Sequence, residues 1–205
     1  KFADGGEVIV WETGRAGEEA ASYENLFLRK EIAGFRTNIR REQSCSIKSL
    51  TRDYLYKQLL SSGEYTFDHM LVIKDPYGEA PLTALALFIL EEPACVRVTT
   101  KGNLKETDFV TELPKKKEHR VPILGMYAEK ANDIVIEILD DEGNCVKSHT
   151  FTIRTKRLPK SLRNVITVKK WTDKPAYSNI MINGGVKIHT CVFDIEGKIR
   201  YYLSR

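Results

Sequence analysis

Near Tyr65 the spacing of the apolar residues changes from about 3.6 to about two. Before that point Ile47, Leu50, Tyr54, Leu55 and Leu59 recur at helical spacing, and Ser61-Ser62-Gly63 closes the segment. After it, short runs rich in Val, Ile and Thr are separated by Gly, Pro, Asp and Asn, which is the pattern of strands joined by turns. Such a chain builds an all-β body and packs its helices onto it as a prefix, because isolated helices of this length are marginal in water. Predicted strands cover residues 67–74, 83–90, 96–100, 119–124, 134–139 and 146–155, a count and spacing that favour a β-sandwich over a barrel. Alternation is cleanest in the last two. Ile134, Ile136 and Ile138 share one face, and His149, Phe151 and Ile153 line up opposite Ser148, Thr150 and Thr152. Asp141-Glu142-Gly143-Asn144 joins them as a hairpin turn.

The prefix, residues 1–63, holds a short strand at 8–11 and two helices. The first covers 18–33, with Tyr23, Leu26, Phe27 and Lys30 at helical spacing and Gly34 as its stop, and the second covers 47–60. Residues 64–156 form the sandwich. Residues 157–205 comprise a linker around Pro159 and a second β unit, with strands at 166–170, 180–183, 189–194 and 198–203. The last two are joined by the turn Asp194-Ile195-Glu196-Gly197. A β domain complete in about forty residues would be marginal, so these residues read as the opening of a larger domain. The sequence starts at Lys1 without Met or an apolar signal segment, as a processed, exported protein would.

A fold of 205 residues buries roughly 70% of its unfolded surface, enough for a core without staples. With 42% hydrophobic and 29% charged residues the composition is that of a globular protein. The longest apolar run, residues 81–90, is about half of what a membrane helix needs, so no membrane span is expected. The net charge of +4 arises from 32 basic and 28 acidic side chains mixed along the chain, which gives no field for nucleic acid or anionic lipid. Lys115, Lys116 and Lys117, and the group Lys156, Arg157, Lys160 and Arg163, read as solvated loops. Cys45, Cys95, Cys145 and Cys191 permit two disulfides without requiring any, and none has zinc-ligand spacing, so no metal is expected.

The histidines are the natural candidates for acid-base or nucleophilic work. His149 shares a strand face with Phe151 and Ile153 and reads as a core residue; His119 anchors a strand entrance. His69 and His189 lie in strand patterns with no activating partner in sequence. Nucleophile-elbow, phosphate-loop, dinucleotide and zinc-protease motifs are absent from the sequence. Gly184-Gly185 reads as a turn, and Asp140-Asp141 and Glu91-Glu92 fall at strand ends, where solvated turns use them.

Four segments in order carry a family resemblance. They are Asp75-Pro76-Tyr77-Gly78-Glu79-Ala80-Pro81-Leu82-Thr83-Ala84-Leu85, Val96-Arg97-Val98-Thr99-Thr100-Lys101-Gly102, Glu118-His119-Arg120-Val121-Pro122-Ile123-Leu124-Gly125-Met126-Tyr127 and Asn132-Asp133-Ile134-Val135-Ile136. Together they resemble the N-terminal domain of bacterial aryl-sulfate sulfotransferases, from about residue 73 to 155. Phe193-Asp194-Ile195-Glu196-Gly197-Lys198-Ile199-Arg200-Tyr201-Tyr202 is similar to the first blade of that family's β-propeller.

The resemblance implies a mainly β fold, an immunoglobulin-like β-sandwich with a helical N-terminal extension and a short C-terminal β segment. It implies an exported, periplasmic or secreted enzyme that moves a sulfuryl group from a phenolic ester to a phenol, through a sulfated histidine of the propeller and without a nucleotide donor or other cofactor. That histidine would lie beyond residue 205, so no catalytic, cofactor-binding or metal-binding residue carries over and the chain alone is expected to be inactive. The implied partners are the propeller of the same polypeptide and, in a homodimer, a second copy. The alternative reading is a freestanding immunoglobulin-like adhesion or ligand-binding module with a groove near Trp171 and Tyr177, its last forty or so residues completing a strand-paired fold. A small enzyme using His119 or His149 is the third reading; it would need a carboxylate or nucleophile within reach of that histidine.

Overall fold

In a computed structural model, residues 6–23, 41–163, 166–167, 180–182 and 191–204 are described. The N-terminal part comprises β1 (Glu7–Trp11), α1 (Thr13–Ala21) and α2 (Arg41–Ser61). The β body follows as β2 (His69–Lys74), β3 (Ala84–Thr100), β4 (Phe109–Ile123), β5 (Ala131–Leu139) and β6 (Cys145–Arg154). Three short strands complete it: β7 (Ile180–Ile182), β8 (Cys191–Phe193) and β9 (Ile199–Tyr202).

The long antiparallel pair β3–β4 organises the molecule. The first half of β3 pairs with β2 through Leu71–Leu87 and Ile73–Leu85, and its second half pairs with β5 through Val96–Ile138 and Val98–Ile136. Between these halves the register slips, because residues 90–93 of β3 stand against Lys117 alone. A bulge of this kind bends a strand and deepens its twist, so one hydrogen-bonded sheet curls into two facing layers. Met70 and Val72 of β2, Phe88 of β3 and Ile123 of β4 meet Val98 of β3, Ile136 of β5 and Phe151 and Ile153 of β6 in one buried cluster. The mainly β, immunoglobulin-like expectation thus holds, as a single sheet of barrel-like curvature rather than two separate ones.

The bulge also explains two differences from the sequence reading. Residues 83–90 and 96–100 are one strand, not two, since Glu91-Glu92-Pro93 breaks the alternation without ending the pairing with β4. Likewise β4 begins at Phe109 rather than 119. Its first ten residues are half-buried or exposed and lack an apolar signal, so Lys115, Lys116 and Lys117 lie on an edge strand instead of in a loop. Lysines and Pro114 on an edge discourage pairing with other chains.

The prefix packs on the sheet. β1 runs parallel to β2, from Glu7–His69 to Trp11–Ile73, and α1 and α2 cover the outer face of the same layer. Ala16, Leu55, Tyr56 and Leu60 pack there on Leu71, Ile73, Leu85 and Leu87. That is why β2 and the start of β3 read as unbroken apolar runs: both of their faces are buried. The helical stripe is rotated from the predicted one. Thr51, Leu55, Tyr56 and Leu60 are buried while Leu50 is 43% exposed. Helix α1 starts at Thr13, earlier than expected; Leu26, Phe27, Lys30 and the stop at Gly34 lie outside the described residues.

Strands β7, β8 and β9 form a separate antiparallel sheet in chain order. The predicted turn joins β8 to β9: Asp194 Oδ1 accepts from the amides of Glu196 and Lys198, each at 3.0 Å. Most of the strand predicted at 166–170, as well as Trp171, Tyr177, Gly184-Gly185 and His189, lies outside the described residues.

Candidate functional site

Each described histidine is held by structure. Nε2–H of His149 donates to Asp68 Oδ1 at 2.8 Å, and its ring stacks on Phe67 with centroids 4.6 Å apart. Lys147 also bonds Asp68, and these bonds, that from Lys147 foremost, hold the Asp68 carboxyl below its usual range. His149 therefore has the carboxylate that an active histidine would need, yet its side chain is 1% exposed. His119 donates through Nε2 to the carbonyl of Lys116 at 2.9 Å and stacks on Phe88 at 5.4 Å, pinning β4 beside the bulge. Burial pushes its pKa down, against backbone hydrogen bonds at Lys116 and Ala94. His69 lies 3.8 Å from Glu7 on a partly exposed strand end.

The paired acids divide between turn and surface work. Asp140 closes the β5–β6 hairpin, accepting from the amides of Glu142 at 3.0 Å and Asn144 at 2.8 Å, which holds its carboxyl low. Asp141 pairs with Lys115 at 2.5 Å. A cleft of about 830 Å³ opens where the layers diverge at the bulge, between Phe67, Leu90, Lys117, Ile138 and Val146. Among the described residues no group of three or more His, Cys, Asp or Glu could hold a metal ion, and no helix is long and apolar enough to cross a membrane. Cys95, Cys145 and Cys191 are free thiols; Cys145 is exposed and Cys191 buried.

A buried polar cluster lies at the other end of the sandwich, where the C-terminal sheet meets it. Arg200 of β9 is 3% exposed. Its Nε donates to the carbonyl of Gly125 at 2.6 Å, and its Nη1 to the carbonyl of Thr107 at 2.8 Å and the Tyr127 hydroxyl at 2.9 Å. Asp194, 3.3 Å away, neutralises the guanidinium. The Tyr127 hydroxyl donates to Asp194 Oδ2 at 2.8 Å and accepts from the Asn103 amide at 3.1 Å. Burial raises the phenol's pKa, so it stays a neutral donor. The Arg200 guanidinium carbon lies 3.9 Å from the centre of the Tyr127 ring, and Lys130 Nζ lies 4.5 Å from it. Gly125 shapes the approach: its φ is +75°, and a Cβ there would stand 2.7 Å from that of Phe109.

This cluster is absent from the sequence reading. Asp194 was expected to make the turn, and it does. Arg200, however, sits in a strand among aromatic residues with no spacing signal, and its partners lie 73 and 75 positions away.

Residues 71–156 match the family model of the arylsulfotransferase Ig-like domain, and this part of the chain is similar to that domain. The resemblance read from residues 73–155 is borne out over that span. No curated protein matches the sequence.

Proposed function

We propose that the chain is the noncatalytic N-terminal part of an exported aryl-sulfate sulfotransferase. In this reading residues 1–63 extend the sandwich of residues 64–156, and residues 157–205 start the propeller that carries the sulfated histidine. The observation that carries it is the match of residues 71–156 to the Ig-like domain of that family. Two others agree with it: His119 and His149 are buried and hydrogen-bonded rather than open to a sulfuryl donor, and β7–β9 run as an antiparallel meander, as propeller blades do. The propeller of the same polypeptide is the proposed partner, with a second copy in a homodimer, in the periplasm or outside the cell.

The test is sulfuryl transfer from a chromogenic aryl sulfate to phenol, run with the 205-residue chain and with the full-length product of its gene. Turnover by the longer protein alone is expected. Turnover by the shorter chain would return attention to His149 and Asp68.

A second reading, a freestanding ligand-binding module, is favoured by the cleft at the bulge and by the mutual pairing of β7–β9. It expects a full-length product that ends near residue 205 and has no transferase activity.

A further inference from the structure

Most of the buried apolar side chains described in the C-terminal sheet pack on the sandwich. The sheet's buried Cys191, Ile199 and Tyr202, together with Leu162, belong to the cluster that holds Phe88, Ile134 and Phe151 of the sandwich. Strands β8 and β9 have three and four residues, too few to stand on ladder bonds alone. The buried charge on β9 is likewise met mainly from outside the sheet. Gly125, Thr107 and Tyr127, all of the sandwich, accept from Arg200, whereas its own sheet offers Asp194. Removed from that surface, a guanidinium with five donors would keep one described partner.

The receiving surface is set by bonds that do not involve β8 or β9. Asn132 Oδ1 accepts from the Tyr127 amide at 2.7 Å, and Asn132 Nδ2 donates to the Tyr127 carbonyl at 3.0 Å. Thr155 Oγ1 donates to the same carbonyl. Asp108 Oδ1 accepts from the Gly102 amide at 2.7 Å, and Thr107 Oγ1 donates to the Leu104 carbonyl at 2.8 Å, which fixes the loop bearing the Thr107 carbonyl. Farther along the same end, Ser204 donates its amide to the carbonyl of Glu79 at 2.8 Å.

We propose that this end of the sandwich is a preformed docking surface for a short-stranded β-sheet carrying one buried arginine, here the chain's own β7–β9, and that the sheet is ordered only while docked. The inference goes beyond the sulfotransferase reading and stands whether or not β7–β9 begin a propeller. Docking in this manner makes β8 and β9 a cooperative unit that opens at lower free energy than the sandwich.

Hydrogen exchange read by mass spectrometry on the 205-residue chain tests it, with Tyr127→Phe and Arg200→Met beside the wild type. Tyr127→Phe keeps the ring but removes the acceptor for Arg200 and the donor to Asp194. Exchange in peptides covering 191–202 should rise about tenfold or more in either variant, while peptides from β3 and β5 keep wild-type protection. Unchanged exchange at 191–202 in both variants would overturn the proposal. Equal loss across β3 and β5 in Arg200→Met would overturn it as well, because the surface would then depend on the sheet it receives. Arg200 lies outside the sandwich, so that variant decides the matter if Tyr127→Phe does not fold.

Discussion

His119 shows how one buried ring can set a pH limit without taking part in chemistry. It is 1% exposed, stacked on Phe88 and bonded to the Lys116 carbonyl, and its burial lowers its pKa. The unfolded chain takes up a proton at this residue near the ordinary histidine value of 6.5, the folded chain only at lower pH. The stability it contributes is therefore complete above 6.5 and is lost as pH falls from there towards the folded pKa. Urea midpoints measured from about pH 7.5 down to about pH 5.5 should fall for the wild type and fall less steeply for His119→Gln, which keeps a donor but does not titrate. Equal slopes for the two proteins would remove His119 as the source. Asp68, whose carboxyl is held low, acts in a separate window: its contribution is present above 3.8 and lost in stronger acid.

Helix α2 is the element whose placement is most open to a direct check. Leu55 is 4% exposed against the sheet, whereas Leu50 is 43% exposed, although both belonged to the stripe read from sequence. Leu55→Ala should cost about 2–4 kcal/mol in urea unfolding, and Leu50→Ala about 0.5 kcal/mol or less. Comparable costs would mean that the helix presents its predicted face after all. The stripe was misread because it took in Tyr54, which is half-buried, in place of Tyr56, which is fully buried with its hydroxyl donating to the Pro76 carbonyl. Similar reasons divide the legible from the illegible elsewhere. The β5–β6 hairpin could be read because one face of each strand is buried and Gly143, at φ +85°, marks the turn. The first half of β4 could not, because an edge strand exposed on one side carries lysines where a core strand carries valines. The Arg200 cluster was hidden for another reason: two of its partners are backbone carbonyls, which any residue type supplies, and the Tyr127 hydroxyl lies 73 positions away.

At the scale of the molecule, the sheet layer formed by β1, β2 and the start of β3 is covered on both faces, by the sandwich core and by the helices. A chain beginning at residue 64 would uncover Leu71, Ile73, Leu85 and Leu87 and leave one edge of β2 unpaired. Such a truncated chain is expected to bind a hydrophobic dye and to sediment as aggregates, since apolar patches and open edges both recruit other chains. A monomeric, dye-negative product would show that the prefix is dispensable to the sandwich. The parallel pairing of β1 with β2 has one more consequence, for synthesis. Glu12 and Lys74, just past the ends of the paired strands, are bonded across 62 positions. Strand β1 thus cannot pair with β2 until the whole intervening segment and β2 itself have followed it from the ribosome. Val8, Ile9, Val10 and Trp11 emerge well before the strand they pair with, so this edge of the sheet must wait for it to close.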